Sequence, residues 1–142
     1  MPVHVVIIDD DPDILKMLRV KLEREGYLVE TAMDGRAGVT KVVASHPDLM
    51  IVDIMLPEID GLELIQEVRE ALGTESPVCI VLSARREVAD IAAGLAAGAD
   101  DYITKPFSPR ELLERMTVAL LRRGRQPVAV TLSPVQAGEG GI

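Results

Sequence analysis

The chain has 142 residues, enough for one domain with a substantial hydrophobic core, and its composition is that of a globular protein. A net charge of −8 without a basic stripe argues against direct contact with nucleic acid, and no apolar run is long enough to span a membrane. The single cysteine, Cys79, excludes an internal disulfide, so we expect a cytoplasmic domain in which this thiol is buried.

Short apolar runs alternate with amphipathic stretches five times, which predicts an α/β domain with a parallel sheet wrapped by helices. The predicted strands are Val3–Ile8, Leu28–Thr31, Asp48–Asp53, Val78–Leu82 and Asp100–Thr104. The predicted helices are Pro12–Glu25, Gly35–Ser45, Gly61–Leu72, Arg86–Ala97 and Pro109–Arg123. We therefore assign residues 1–123 to one domain. Residues 124–142 lack sustained periodicity, so we expect a linker or flexible tail, with at most one short strand at Val128–Leu132.

Local signals support these boundaries. Asp11-Pro12 and Ser108-Pro109 each place an N-cap residue before a first-turn proline, and Glu111 would complete a capping box with Ser108. Glycines follow three predicted helix ends, at Gly26, Gly73 and Gly98. Because a left-handed residue commonly ends a helix, these glycines predict helix termination at each point.

Acidic residues follow two of the predicted strands. Asp9 and Asp10 come directly after the first strand, and Asp53 ends the third. Right-handed crossovers place both strands near the centre of the sheet, so these carboxylates are expected to be neighbours at its carboxyl edge. Such crowding persists when a cation offsets it, and Mg²⁺ suits an all-oxygen site. The alternative role, capping of the next helix, we assign to Asp11.

A lysine and a serine follow two further strands. Lys105 follows the fifth strand, where its ammonium can pair with Asp53 and hold a phosphoryl oxygen as a point charge. Pro106 makes the Lys105–Pro106 bond a candidate cis peptide. Ser83 adds a hydroxyl after the fourth strand, with N-capping of the helix at Arg86 as the alternative role. The sequence thus predicts a metal-dependent site for a phosphoryl group.

These motifs together resemble the receiver domain of two-component response regulators, of the CheY-like superfamily, over about residues 2–123. The residues that carry the resemblance are Asp9-Asp10, the stretch 47–57 around Asp53, Asp60-Gly61, Ser83-Ala84 and the stretch 98–107 around Tyr102 and Lys105. The resemblance implies a flavodoxin-like fold with strand order 2-1-3-4-5. It also implies a signalling switch that catalyses only its own phosphorylation and dephosphorylation.

The resemblance further implies a role for each site residue. Asp53 would accept a phosphoryl group from a sensor histidine kinase or from a small donor such as acetyl phosphate. Ser83 and Lys105 would hold the phosphoryl oxygens, and Tyr102 would turn inward as Ser83 moves toward the phosphoryl group. Mg²⁺, for which Mn²⁺ can substitute, would be bound by Asp9, Asp10, Asp53 and the backbone carbonyl of Met55.

Further residues resemble the OmpR/PhoB branch, which dimerises through the fourth helix, fifth strand and fifth helix and usually controls transcription. The expected interface residues are Asp100, Asp101, Glu111, Arg115 and Arg122. The fourth helix departs from that pattern, because it has almost no charge after Asp90. We therefore expect either a dimer with fewer interfacial ion pairs or a different partner. No winged helix follows residue 123, so the chain is a stand-alone receiver or, as the tail favours, part of a longer regulator.

Three other functions fit the fold class less well. A flavin-binding protein would need a phosphate loop after the first strand, where the acidic cluster would instead repel phosphate. A metal-dependent phosphohydrolase would need an acid or base two residues beyond Asp53, and that residue is Met55. A receiver that only makes interactions would be expected to lack one of the site residues, and all are present.

Overall fold

The apolar runs form a parallel sheet whose strand order confirms the predicted topology. The computed structural model describes residues 2–124. The strands are β1 (His4–Ile8), β2 (Leu28–Ala32), β3 (Leu49–Val52), β4 (Val78–Ser83) and β5 (Asp101–Thr104), in the order β2-β1-β3-β4-β5. The central strands β1, β3 and β4 are buried almost throughout, as expected for a sheet covered on both faces.

Each strand is followed by a helix. The helices are α1 (Pro12–Arg24), α2 (Gly35–Ser45), α3 (Gly61–Leu72), α4 (Val88–Ala97) and α5 (Pro109–Arg122). A short 3₁₀ turn, Gly73–Glu75, follows α3 and is not predicted from the sequence. Asp11 caps α1 by accepting a hydrogen bond from the Asp13 backbone N–H at 2.9 Å, as expected. Within residues 2–124, no helix combines the length and apolarity that crossing a membrane requires.

One predicted helix start and one predicted capping interaction need correction. The fourth helix begins at Val88 rather than Arg86, because Glu87 is its N-cap and donates its backbone N–H to Asp90 Oδ2 at 3.3 Å. Ser83 therefore does not cap this helix. At α5, Ser108 Oγ accepts the Glu111 N–H at 3.1 Å, but the Glu111 carboxylate pairs with Arg115 instead of completing a capping box. The remaining element boundaries differ by at most one residue at either end.

Alternate residues of the strands face two separate cores. One face packs against α1 and α5, and the other against α2, α3 and α4. Cys79 lies fully buried in the second core, where burial raises the pKa of its thiol to about 12. The predicted tail after Gly124, including Val128–Leu132, lies outside the described residues.

Because all five strands are parallel, their carboxyl ends lie at the same edge of the sheet, where the predicted site residues follow them.

Candidate functional site

Two adjacent strands bring the acidic residues together. Asp9 follows β1 and Asp53 follows β3, and these two strands pair in parallel. The backbone N–H of Asp53 donates to the Ile8 carbonyl at 3.0 Å, and that of Asp9 donates to the Ala32 carbonyl at 3.1 Å. Because these bonds extend the strand ladders by one residue, both aspartates are held in fixed positions at the carboxyl edge.

Three carboxylates lie close together at this edge. Asp9, Asp10 and Asp53 each offer an oxygen atom, and these atoms all lie within 4.8 Å of one another. Asp9 and Asp53 are 2% and 6% exposed, whereas Asp10 is exposed. Burial raises the pKa of Asp9, and the Asp53 charge adds to this effect, although hydrogen bonds from Lys105 and the Asp11 backbone oppose it. The cluster is therefore electrostatically costly as it stands.

Lys105 is the cation of the site. Its Nζ donates to Asp9 Oδ2 at 2.8 Å and to Asp53 Oδ2 at 3.0 Å. Burial alone would lower the pKa of this lysine, but the hydrogen bonds to the two aspartates outweigh burial and raise it. The lysine is therefore charged at neutral pH. The peptide bond that follows it, Lys105–Pro106, is cis as predicted.

The second oxygen of each buried carboxylate accepts a backbone hydrogen bond. Asp9 Oδ1 accepts the Asp11 N–H at 2.9 Å, and Asp53 Oδ1 accepts the Met55 N–H at 3.0 Å. Three carboxylates against one ammonium leave an excess of two negative charges. An all-oxygen donor set with this excess fits a hard divalent cation such as Mg²⁺.

Ser83 and Tyr102 meet at the backbone of Arg85. Ser83 is the fully buried last residue of β4, and its Oγ accepts the Arg85 N–H at 3.2 Å. The Tyr102 hydroxyl donates to the Arg85 carbonyl at 2.7 Å, and its side chain is 7% exposed. Burial raises the pKa of Tyr102, while the neighbouring Ser83 hydroxyl lowers it. Tyr102 therefore lies inward and is not a half-exposed aromatic. Sequence alone identifies Arg85 as a residue that flanks the site, but it could not predict this link to Ser83 and Tyr102, because the link is made by backbone atoms.

Most of the predicted interface residues form ion pairs within the chain. On β5 and α5, Arg115 lies 3.0 Å from Asp101 and 3.3 Å from Glu111. Asp100 precedes β5 at the opposite, amino edge of the sheet, where it pairs with Arg123 at 3.1 Å. Arg122 is exposed and forms no ion pair with the residues that the structure describes. The structure thus divides the predicted set between the β5–α5 surface and the amino edge.

A doubly wound fold with an acidic cluster and a lysine at the carboxyl edge agrees with the predicted resemblance to receiver domains. The model of the family described as "Response regulator receiver domain" matches residues 5–117, and the chain belongs to this family. This result confirms the resemblance seen in the sequence.

Two mycobacterial response regulators are similar to this chain over most of its length. The chain is similar to response regulator MprA of Mycolicibacterium vanbaalenii, with 46% identity over 123 residues, or 87% of this chain and 52% of that protein. It is 43% identical to the transcriptional regulatory protein TrcR of Mycobacterium tuberculosis over 122 residues, covering 86% of this chain and 46% of that one. The chain thus spans about half the length of these relatives.

A solved structure described as an OmpR/PhoB homologue is similar to this chain. The crystal structure of DrrB from Thermotoga maritima, described as an OmpR/PhoB homologue, superimposes with a TM-score of 0.76 at 30% sequence identity. The superposition covers 89% of this chain and 55% of that one. The receiver fold is thus shared with this neighbour, as the sequence resemblance implies.

Proposed function

We propose that this chain is a phosphorylation-controlled switch of a two-component system, in which Asp53 is the phosphoacceptor. The observation that carries the proposal is the shared lysine. Lys105 Nζ lies 3.0 Å from the Asp53 carboxylate in a site that still has an excess of negative charge. A sensor histidine kinase would supply the phosphoryl group through its phosphohistidine, and acetyl phosphate could serve as a small donor.

The chemistry is in-line transfer of a phosphoryl group to a carboxylate. An Asp53 oxygen attacks the phosphorus atom, and the bond to the donor nitrogen or oxygen breaks, leaving its electron pair on the donor. Lys105 faces Asp53 as a fixed positive charge that can pair with a phosphoryl oxygen, and the Ser83 hydroxyl can donate to another. Hydrolysis of the acyl phosphate by water restores the carboxylate, so the domain also ends its own signal.

Asp9, Asp10, Asp53 and the Met55 backbone carbonyl would hold the divalent cation. When bound, Mg²⁺ supplies positive charge that offsets the three carboxylates and the incoming phosphoryl oxygens. Mn²⁺ takes the same type of oxygen ligands and can substitute. The excess negative charge and the exposed Asp10 side chain support this assignment.

Output would pass through the surface formed by α4, β5 and α5. Ser83 and Tyr102 both hydrogen-bond to Arg85, so movement of Ser83 toward a phosphoryl group would change the contacts of Tyr102. The surface includes Val88 and Leu95 of α4, which are 83% and 46% exposed. We propose that the phosphorylated chain dimerises here through apolar contacts with few interfacial ion pairs. Similarity to TrcR, a transcriptional regulatory protein, supports control of transcription as the output.

Intact mass measurement tests the phosphoacceptor. Incubation with acetyl phosphate and Mg²⁺ should add one phosphoryl group, and Asp53→Asn or excess EDTA should abolish the adduct. Asp34→Asn is the matched control, because asparagine can still cap α2 at this position. An adduct that persists in Asp53→Asn would contradict the assignment. If folded wild-type protein gave no adduct and bound no beryllofluoride, the chain would be a receiver that only makes interactions.

Sedimentation of the beryllofluoride-bound protein tests the dimer. We expect dimerisation in the presence of beryllofluoride and Mg²⁺, and its loss in Leu95→Arg. Met33→Arg is the matched control, because Met33 is 48% exposed but lies after β2, away from α4. A monomer in all conditions, or equal effects of both substitutions, would exclude this surface as the dimer interface.

A further inference from the structure

The helix α4 has one buried residue, Gly94. A Cβ atom built on Gly94 would lie 2.9 Å from Cδ2 and 3.1 Å from Cε2 of Tyr102. Contacts this short are rare between real side chains, so an alanine here would require either the ring or the helix to move. The Tyr102 ring therefore occupies the volume that a side chain at position 94 would fill.

The other end of Tyr102 is also fixed. Its hydroxyl donates to the carbonyl of Arg85, and the N–H of the same residue donates to Ser83 Oγ. The backbone of Arg85 thus joins the hydroxyl of Tyr102 to that of Ser83. The inward position of Tyr102 therefore has two requirements. Its ring needs space beside α4, and its hydroxyl needs the acceptor that the Arg85 carbonyl provides just before α4.

Glycine carries a cost at this position. It is a poor helix former, and Gly94 is the seventh of the ten residues of α4, before the C-cap position at Gly98. Its backbone φ is not in the left-handed region, where glycine would be favoured for conformational reasons. The close approach of the Tyr102 ring therefore explains why this position is occupied by glycine.

We propose that Gly94 is a positioning residue for Tyr102, which keeps the tyrosine inward and in contact with the backbone link to Ser83. This inference rests on the proposed function in one respect, namely that Ser83 and Tyr102 carry the signal from Asp53. A side chain at position 94 would shift the tyrosine outward and break the link without touching the carboxyl-edge cluster.

The tyrosine content of the chain allows a direct test. The sequence has two tyrosines and no tryptophan, so 3-fluorotyrosine gives one ¹⁹F resonance each for Tyr27 and Tyr102, and Tyr27→Phe assigns them. In the full chain, Gly94→Ala should shift the Tyr102 resonance toward the position of an exposed tyrosine and increase its solvent isotope shift. The Tyr27 resonance should stay unchanged, since Tyr27 lies in the other core. An unchanged Tyr102 resonance would overturn the inference.

A double-mutant comparison separates the ring contact from helix propensity. Alanine favours a helix in any background, so Gly94→Ala should raise the melting temperature when Tyr102 is already replaced by alanine. In the wild-type background the same substitution should lower it. The control Ala92→Gly, exposed on the same helix, should lower it equally in both backgrounds. An equal rise for Gly94→Ala in both backgrounds would contradict the proposed contact.

Phosphorylation is measured separately, so the two proposals can fail independently. Gly94→Ala should still gain the acetyl phosphate adduct, while beryllofluoride with Mg²⁺ should perturb Tyr102 less than in the wild type. Loss of the adduct in folded Gly94→Ala would count against a positioning role confined to Tyr102. Absence of the adduct from the wild type would contradict the proposed function, whereas the resonance shift in Gly94→Ala would still test the position of Tyr102.

Discussion

Charged side chains form a cluster at both the carboxyl edge and the amino edge of the parallel sheet, but only one of the two clusters has a net charge close to zero. At the carboxyl edge, Lys105 is shared by two buried aspartates, with Asp10 beside them. At the amino edge the ratio is reversed, because Asp100 is shared by Arg69 at 3.5 Å and Arg123 at 3.1 Å. The first cluster has an excess of two negative charges and the second an excess of one positive charge.

The amino-edge cluster compensates for its excess with hydrogen bonds. Arg69 donates to the carbonyls of Pro77, at 2.7 Å, and Gly98, while Arg123 donates to the Ser76 carbonyl at 2.9 Å. These bonds connect α3 and the end of α5 to the segments that lead into β4 and β5. Donors that point at carbonyl oxygens are satisfied in the folded chain. The amino-edge cluster therefore stabilises the fold, whereas the carboxyl-edge cluster retains a repulsion that a cation can relieve.

Removal of Lys105 should cause the largest loss of stability. Lys105→Met leaves Asp9 and Asp53 buried without their cation, which we expect to cost about 3 kcal/mol in EDTA at pH 7. The loss should shrink toward pH 4, because burial raises the pKa of Asp9 above its ordinary value of 3.8 and protonation removes its charge. Urea denaturation of both proteins at several pH values measures the difference.

The control for this substitution is Lys16→Met on α1. Lys16 is exposed and forms no ion pair with residues 2–124, so its replacement should change the stability by less than about 0.5 kcal/mol. Equal effects at positions 105 and 16 would mean that Lys105 does not balance the buried carboxylates.

The corresponding change at the amino edge is Asp100→Asn. The substitution leaves two guanidinium groups without a counter-charge. It also weakens the acceptor of the Cys79 N–H, which donates to Asp100 Oδ2 at 2.8 Å in the wild type. We therefore expect a loss of about 2 kcal/mol of stability. Mg²⁺ should not restore this stability, because the cluster lies at the opposite edge from the three carboxylates. Denaturation with and without Mg²⁺ checks both statements. A rescue by Mg²⁺ would show that the two edges are not independent.

Cys79, beside the amino-edge cluster, should make the fold sensitive to alkali. Burial raises the pKa of its thiol from an ordinary value of 9.0 to about 12. Between these two values the unfolded chain releases a proton that the folded chain keeps, so stability falls as the pH rises. The slope approaches a limit of about 1.4 kcal/mol per pH unit for this group, and the loss between pH 9 and 10, where the unfolded thiol is only partly ionised, is about 1 kcal/mol. Cys79→Ala should lack this part of the slope between pH 9 and 10, and parallel curves for both proteins would contradict the assignment.

The comparison of the two edges also explains what the sequence could predict. Strand ends can be read from runs such as Leu49–Val52, and parallel strands bring their ends together, so Asp9, Asp53 and Lys105 were identifiable in advance. The amino-edge cluster was not, because Arg69 lies on α3 and Arg123 directly after α5, and neither position belongs to a motif. The contact between Gly94 and Tyr102 was equally invisible, since it depends on how α4 packs against β5 rather than on local patterning.

Replacement of Asp10 should have the smallest effect on stability, but it measures most directly the excess negative charge at the carboxyl edge. Asp10 is exposed, and one of its oxygens lies within 4.8 Å of oxygens of two other carboxylates, so Asp10→Asn should stabilise the protein in EDTA by about 0.3–0.5 kcal/mol. The same substitution should reduce the stabilisation that we expect from Mg²⁺, because one of the proposed ligands loses its charge. Asp13→Asn is the control, and it should be slightly destabilising, since Asp13 lies in the first turn of α1. Thermal unfolding with and without Mg²⁺ distinguishes the two variants. Destabilisation by Asp10→Asn in EDTA would mean that the carboxyl edge has no excess negative charge for a cation to relieve.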